Sequence, residues 1–229
     1  VTSQTWRQAW VREKCGIATR LSQGNAGASY AEAVILVCAV LSALAAELWK
    51  GRGIDRARFV EMLVRLGSPT EIWATISTPL LVQYLDANSH KVEAALVRKA
   101  FGLPTSARIL TGADVDKSMA DVTTICPSLN AKELRRFSYA SLLYQDVRSS
   151  YAHEYRPGKD ADSWPATMLQ NQNVSYINRI SDESAQMRRL IHFHFDWLAN
   201  VAIQLAMAVD DFSLELPRSN PKVWWIDGG

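Results

Sequence analysis

The chain has 229 residues, 48% hydrophobic and 21% charged, enough apolar material for a sizeable core, which excludes an intrinsically disordered chain. Its 25 basic and 23 acidic residues leave a formal charge of +2, so it is no packaging or tail-type polycation, and any grip on nucleic acid has to be local. Cys15, Cys38 and Cys126 lie far apart, form no C-x-x-C pair and are too few to staple a fold, which argues against a cysteine-built zinc site and suits a reducing cytoplasm.

The opening residues 1–6 hold no basic stretch feeding an apolar run, so no secretion signal is expected in them. A first helix is predicted over 5–21, with Trp6, Trp10, Cys15 or Ile17, and Leu21 at roughly helical spacing, ended by the Gly/Asn/Ser-rich 22–29. The next, over 30–50, is apolar almost all round. Its run 33–46, bounded by Glu32 and Glu47, is shorter than the ~18–20 residues a spanning helix needs, so it is predicted to be a buried core helix with no membrane contact. Gly51 and Gly53 stop it.

Asp55 is predicted to cap a helix to 66 whose stripe is Phe59, Met62, Leu63 and Leu66. Ser68, Pro69 and Glu71 then stand at cap, first-turn and capping-box positions of another helix, which Pro79 breaks or kinks. A short helix over 90–100 precedes 105–129, read as mostly loop with one short helix. Asn130 with Glu133 caps a long amphipathic helix that runs to 155 and is ended by Pro157-Gly158. Residues 159–165 form a polar loop, 174–180 alternate as a short strand or extended arm, and 182–209 read as a final long helix with Met187, Ile191, Leu198 and Leu205. The expectation is an all-α, single helical-bundle domain of about six to eight helices over 1–212. An extended C-terminal tail over 213–229 would carry an exposed-looking pair, Trp224-Trp225.

There is no G-x-G-x-x-G, G-x-x-x-x-G-K, G-x-S-x-G or H-E-x-x-H, which removes most dehydrogenases, P-loop enzymes, serine hydrolases and zincins. His192-Phe-His194-Phe-Asp196 would put three metal-ligand types on one face of a strand. In the helix predicted there, His192 and Asp196 share a face while His194 turns onto the apolar stripe, so the expectation is hydrogen-bonded histidines and no metal site.

The other constellation is Arg148-Ser-Ser-Tyr-Ala-His153-Glu-Tyr155, at the end of the long helix. Metal-independent RNA cleavage needs a group titrating near neutrality to take the 2′-hydroxyl proton and a fixed cation for the charge building on phosphorus, roles that imidazole and guanidinium fill. The run resembles the R-x(4–6)-H motif of the HEPN superfamily, and with Tyr155 the R-x4-H-x-Y form found in its toxins. That resemblance implies a helical, cofactor-free endoribonuclease of a toxin or defence system, cytoplasmic, acting on RNA as a homodimer. Arg148 and His153 would be catalytic, with Asp146, Ser149, Tyr151, Glu154, Tyr155 and Arg156 lining the site, and a nucleotidyltransferase-type antitoxin would be a partner that modifies Tyr155. Ser149 departs from the Asn, Asp or His that usually follows the arginine. Residues five apart on an ideal helix point about 140° from one another and rise ~7.5 Å, so the resemblance's two-fold arrangement of facing motif helices is the expected solution. Six basic and three acidic residues over 130–159 put the chain's positive surplus in this segment. The alternative is a non-catalytic helical module binding nucleotide or RNA, or binding a protein through Trp224-Trp225. Under it Arg148 pairs with a helix carbonyl or a nearby acid and His153 caps the helix end.

Overall fold

Helix α2 (Tyr30–Leu48) is the centre of the molecule, and the rest is arranged by what covers it. The computed structural model describes residues 4–24, 27, 29–104, 109–163, 172–180, 187–215 and 220–228. Ser29 and Glu32 close a capping box at the start of α2, and Val34, Val37, Leu41 and Leu44 lose essentially all contact with solvent. Each such side chain stabilises the fold by about 1.5–3 kcal/mol through apolar burial. Among the described residues α2 is the one helix long and apolar enough to cross a membrane, but half of it is buried inside the fold, as a core helix requires.

Helices α1 (Trp6–Ser22), α3 (Asp55–Leu66) and α12 (Phe195–Glu215) pack on α2. Thr5 caps α1 by accepting from the Gln8 amide at 3.2 Å. α1 and α12 run antiparallel: Asp210 accepts from Thr5 at 2.6 Å and Gln8 at 2.9 Å, and the Cys15 thiol reaches the Ala199 carbonyl further along. α4 (Thr70–Ala74), α5 (Thr78–Ala87) and α6 (Lys91–Ala100) come after α3. Two expected caps are not used: α3 begins at Asp55 itself, and Pro69 occupies the cap of α4 after a cis Ser68–Pro69 bond. Pro79 starts α5 rather than breaking a helix, because the first turn has no intrahelical use for the missing N–H.

The expectation of an all-α bundle is overturned by a three-stranded antiparallel sheet in the order β1-β2-β3, so the molecule is mixed α/β. β2 (Val174–Ile180) is a strand where the sequence left a short strand or an extended arm open, and β3 (Met187–Phe193) pairs along its whole length, from Val174 opposite Phe193 to Ile180 opposite Met187. The expected helix over 182–209 therefore divides into a strand and, from Phe195, the last helix; residues 181–186 lie outside the described residues. Leu190 to Phe193 are all buried, the polar His192 among them, and a run covered on both faces carries no period by which strand and helix differ. The outer edge of β3 is occupied: Gln83 of α5 accepts from the Arg189 amide at 2.8 Å, and residues 160 and 162 exchange backbone hydrogen bonds with Ile191. Phe193 stacks on Trp197, which stacks on Trp73 at 4.7 Å, joining the sheet to α12 and α4.

The segment read as loop holds β1 (Ile109–Thr111), α7 (Gly112–Val115) and α8 (Met119–Ile125), the last opened by a Ser118/Asp121 capping box. Residues 105–108 lie outside the described residues. The helix expected from Asn130 starts with the anticipated Asn130/Glu133 box but stops after α9 (Ala131–Arg135). Its continuation gives backbone groups to a neighbour: Ser77 donates to the Phe137 carbonyl at 2.9 Å and Tyr139 to that of Thr75 at 3.1 Å. Ser138 then caps a second start. From there α10 (Tyr139–Leu142), a π-helical segment (Leu143–Ser149) and α11 (Ser150–Glu154) form one continuous helix, the motif helix.

Candidate active site

The motif helix owes its shape to an inserted π segment, a local widening that recurs at functional sites and re-aims the residues after it. It is pinned from outside. The Gly158 amide donates to the Asp146 carbonyl at 2.6 Å, so close that a Cβ at Gly158 would stand 2.4 Å from Asp146 Oδ1 and 2.7 Å from its Cα. The helix ends with Tyr155 in the left-handed region, its amide bonded back to the Tyr151 carbonyl at 3.2 Å, just before Pro157.

Arg148 sits half-buried at the end of the π segment, on the side facing α2. Its Nε donates to Ser42 Oγ at 3.1 Å, and the guanidinium lies over the Tyr144 ring at 5.2 Å. Among the described residues no acceptor engages its terminal nitrogens. The cation is thus aimed by one hydrogen bond and one ring, with its forked end unspent. His153 is exposed on α11, five residues and more than one helical turn further on, and forms no hydrogen bond with Arg148 among the described residues. Ser149 is half-buried beside Arg148, while Glu154 and Arg156 are exposed and pair with one another at 2.8 Å. Tyr155, 59% exposed, donates its hydroxyl to Glu32 at the start of α2. Hydrogen bonds from Ser29 and Tyr155 hold the Glu32 carboxyl down to about 2.

Asp146 and Tyr151 point inward instead. Asp146 is buried and its Oδ2 has no hydrogen-bond partner among the described residues; burial, then the nearby Asp160 carboxylate, pushes it up to about 6. Asp160 is itself held by Arg188 at 2.8 Å. Tyr151 is buried, which raises its hydroxyl to about 12. The structure therefore gathers Arg148, Tyr144 and Ser42 on one flank, with Ser149 half-buried next in the chain, puts His153, Glu154, Tyr155 and Arg156 at the exposed tip, and leaves Asp146 and Tyr151 in the interior.

The basic residues of 130–159 do not form one strip. Arg135 lies over Trp225 at 5.3 Å and Arg136 over Tyr84 at 5.4 Å, both away from the helix tip. Trp224 and Trp225 are not exposed anchors: Trp224 meets Trp49 edge-on at 5.7 Å, the Trp225 amide donates to Glu61 at 2.6 Å, and Ile226 is buried. Residues 220–228 are strapped to the body.

His192 and His194 come together, rings 5.0 Å apart, but as a polar joint between sheet and helix. His192 Nδ1 lies 3.2 Å from the Asp162 carbonyl, which can only accept, so that nitrogen carries the proton. His194 Nε2 is 2.9 Å from Ser175 Oγ. Burial lowers both, His194 to about 4 with help from His192, which fits neutral rings. Asp196, in the first turn of α12, is exposed, and among the described residues no three His, Cys, Asp or Glu side chains are grouped to hold a metal ion.

One cluster has no signature in the sequence. Asp116 is buried and accepts from the hydroxyls of Tyr139 and Tyr176 and from the Thr78 amide at 3.0 Å, while Ser77 Oγ lies 2.8 Å from the Tyr176 hydroxyl. Its members come from α5, the start of the motif helix, β2 and the turn after α7, so no linear spacing relates them. Burial pushes the carboxyl up to about 7 against the pull of these donors. No family model, no curated protein and no solved structure matches the chain.

Proposed function

We propose that the chain is a metal-independent endoribonuclease of HEPN type whose active site is composed from the motif helices of two copies. The observation that carries the reading is Arg148, aimed by Ser42 and Tyr144 with its terminal nitrogens unengaged, five residues before an exposed His153. His153 takes the proton of a ribose 2′-hydroxyl. The oxygen attacks the adjacent phosphorus, the 5′-oxygen leaves with a proton, and the products are a 2′,3′-cyclic phosphate and a 5′-hydroxyl. Arg148 meets the charge that builds on the phosphoryl oxygens, an interaction stronger in the transition state than in the ground state.

Arg148 faces α2 and His153 faces solvent, so one copy does not present both to a single phosphate. Two copies related by a two-fold axis bring an Arg148 of one to the His153 of the other. Free, buried cysteines suit the cytoplasmic setting of such an enzyme, and Tyr155, exposed and bonded to Glu32, is the residue a nucleotidyltransferase-type antitoxin would modify. Incubating the protein with labelled RNA in EDTA tests the reading. Cleavage to cyclic-phosphate ends is expected, falling about 100-fold or more in Arg148→Ala and in His153→Ala. Absence of cleavage, or cleavage that survives both substitutions, overturns it.

A further inference from the structure

We propose that the groove between α1 and α12 is a self-association face that takes a second copy of this chain across a two-fold axis. The groove encloses about 460 Å³ and belongs to two helices that carry no residue of the R-x4-H motif, so the proposal does not rest on RNA cleavage. Because α1 and α12 run antiparallel, with Asp210 against Thr5 and Gln8 and Ala199 against Cys15, the ends of the groove differ in charge. Arg12 stands at the end near Ile203, and Asp196 at the end near Thr19. Each helix spans seven residues between its two ends, about 10 Å at 1.5 Å per residue.

Arg12 and Asp196 are both exposed, and neither forms an ion pair among the described residues. At that separation they do not neutralise one another. A two-fold axis through the middle of the groove exchanges its ends, which sets Asp196 of the partner subunit over Arg12 and the reverse, two pairs from one geometry. The surface is therefore complementary to itself.

The floor permits the approach. Gly16 has no side chain, and a Cβ there would meet nothing within 4 Å. Ile203 and Met207, the latter 40% exposed, continue the helical stripe begun by Asp196 and Asn200 and supply apolar area. The rim charges set register and partner choice, and the apolar stripe supplies affinity.

Sedimentation or light-scattering mass at about 100 µM, a concentration that populates a weak dimer, tests this with Arg12→Glu, Asp196→Arg and the double variant. Either single change sets like charges against one another at both ends; the double change restores opposite charges. The expected result is that the wild-type mass, that of a dimer or more, halves in each single variant and returns in the double variant, with unchanged circular dichroism throughout. Asn200→Cys, midway along the groove, is expected to oxidise to a covalent dimer. A monomeric wild type, single variants that keep the full mass, or a double variant that stays dissociated overturns the proposal; a monomer stabilised by free amino acids would assign the groove to a small zwitterion instead. RNA cleavage is read separately.

Discussion

Arg148 shows how much of a functional side chain's behaviour depends on residues remote in sequence. Its motif is legible because arginine and histidine at that spacing carry a chemical meaning, but nothing in the sequence pairs position 148 with Ser42, 106 residues away. That hydrogen bond makes Ser42 a positioning residue. Ser42→Ala is expected to slow RNA cleavage about tenfold through a lower kcat with KM little changed, with a stability loss of about 1.5–3 kcal/mol for a hydrogen bond to a charged group. A rate equal to wild type would show that the Tyr144 ring alone holds the guanidinium. Asp116 illustrates the opposite case, a titrating residue with no visible signal. Its carboxyl is raised from an ordinary 3.8 to about 7, so the folded state binds the proton more tightly than the unfolded one. The stabilisation this gives is complete below pH 4 and lost as the pH rises through 7. His192 and His194, lowered from 6.5, act in the opposite sense, losing stability as the pH falls below 6.5. Between pH 6.5 and 8 the two effects oppose one another, because the unfolded-state histidines are still partly charged there, so the carboxyl is isolated by comparing wild type with a variant that lacks it. Urea unfolding is expected to show the wild type losing stability relative to Asp116→Asn as the pH rises from 5 to 8; parallel profiles would contradict the assignment.

At the scale of elements, capping chemistry is legible where one side chain reaches three residues along, as at Asn130/Glu133, since the interaction is local. Hydrophobic pattern misleads where tertiary contacts decide. The helix expected from 130 to 155 is interrupted because Phe137 and Tyr139 give backbone groups to 75–77, and 187–193 form a strand because β2 and residues 160–162 flank it. The π segment is also invisible in the sequence, and within it the Asp146 carbonyl accepts from the Gly158 amide of the returning loop. Gly158→Ala forces a methyl into Asp146, and a melting experiment is expected to show a loss of about 1–3 kcal/mol, the usual cost of overpacking. The C-terminal strap has a comparable role. Trp225→Ala removes the ring over Arg135 and loosens the contact with Glu61, for an expected loss of about 2 kcal/mol. A surface tryptophan serving only a partner would leave the melting temperature where it was.

At the scale of the whole molecule, α2 at the centre and the helices on it are foreseeable from hydrophobic pattern alone, whereas the sheet is not. β1 is three residues long and lies about 65 residues before its partner β2, so no local pattern announces their pairing. The motif helix packs on α2, α3 and α4 with its C-terminal tip in solvent, so a single copy offers RNA one exposed imidazole and a guanidinium facing elsewhere. Everything proposed for its chemistry requires that two copies complete one another. Mixing Arg148→Ala protein with His153→Ala protein is the most direct measurement of that requirement. Random exchange makes half the dimers mixed, each with one intact Arg148/His153 pair, so cleavage in EDTA is expected to recover to about a quarter of the wild-type rate. A mixture no more active than either variant alone, beside an active wild type, would contradict the composite site.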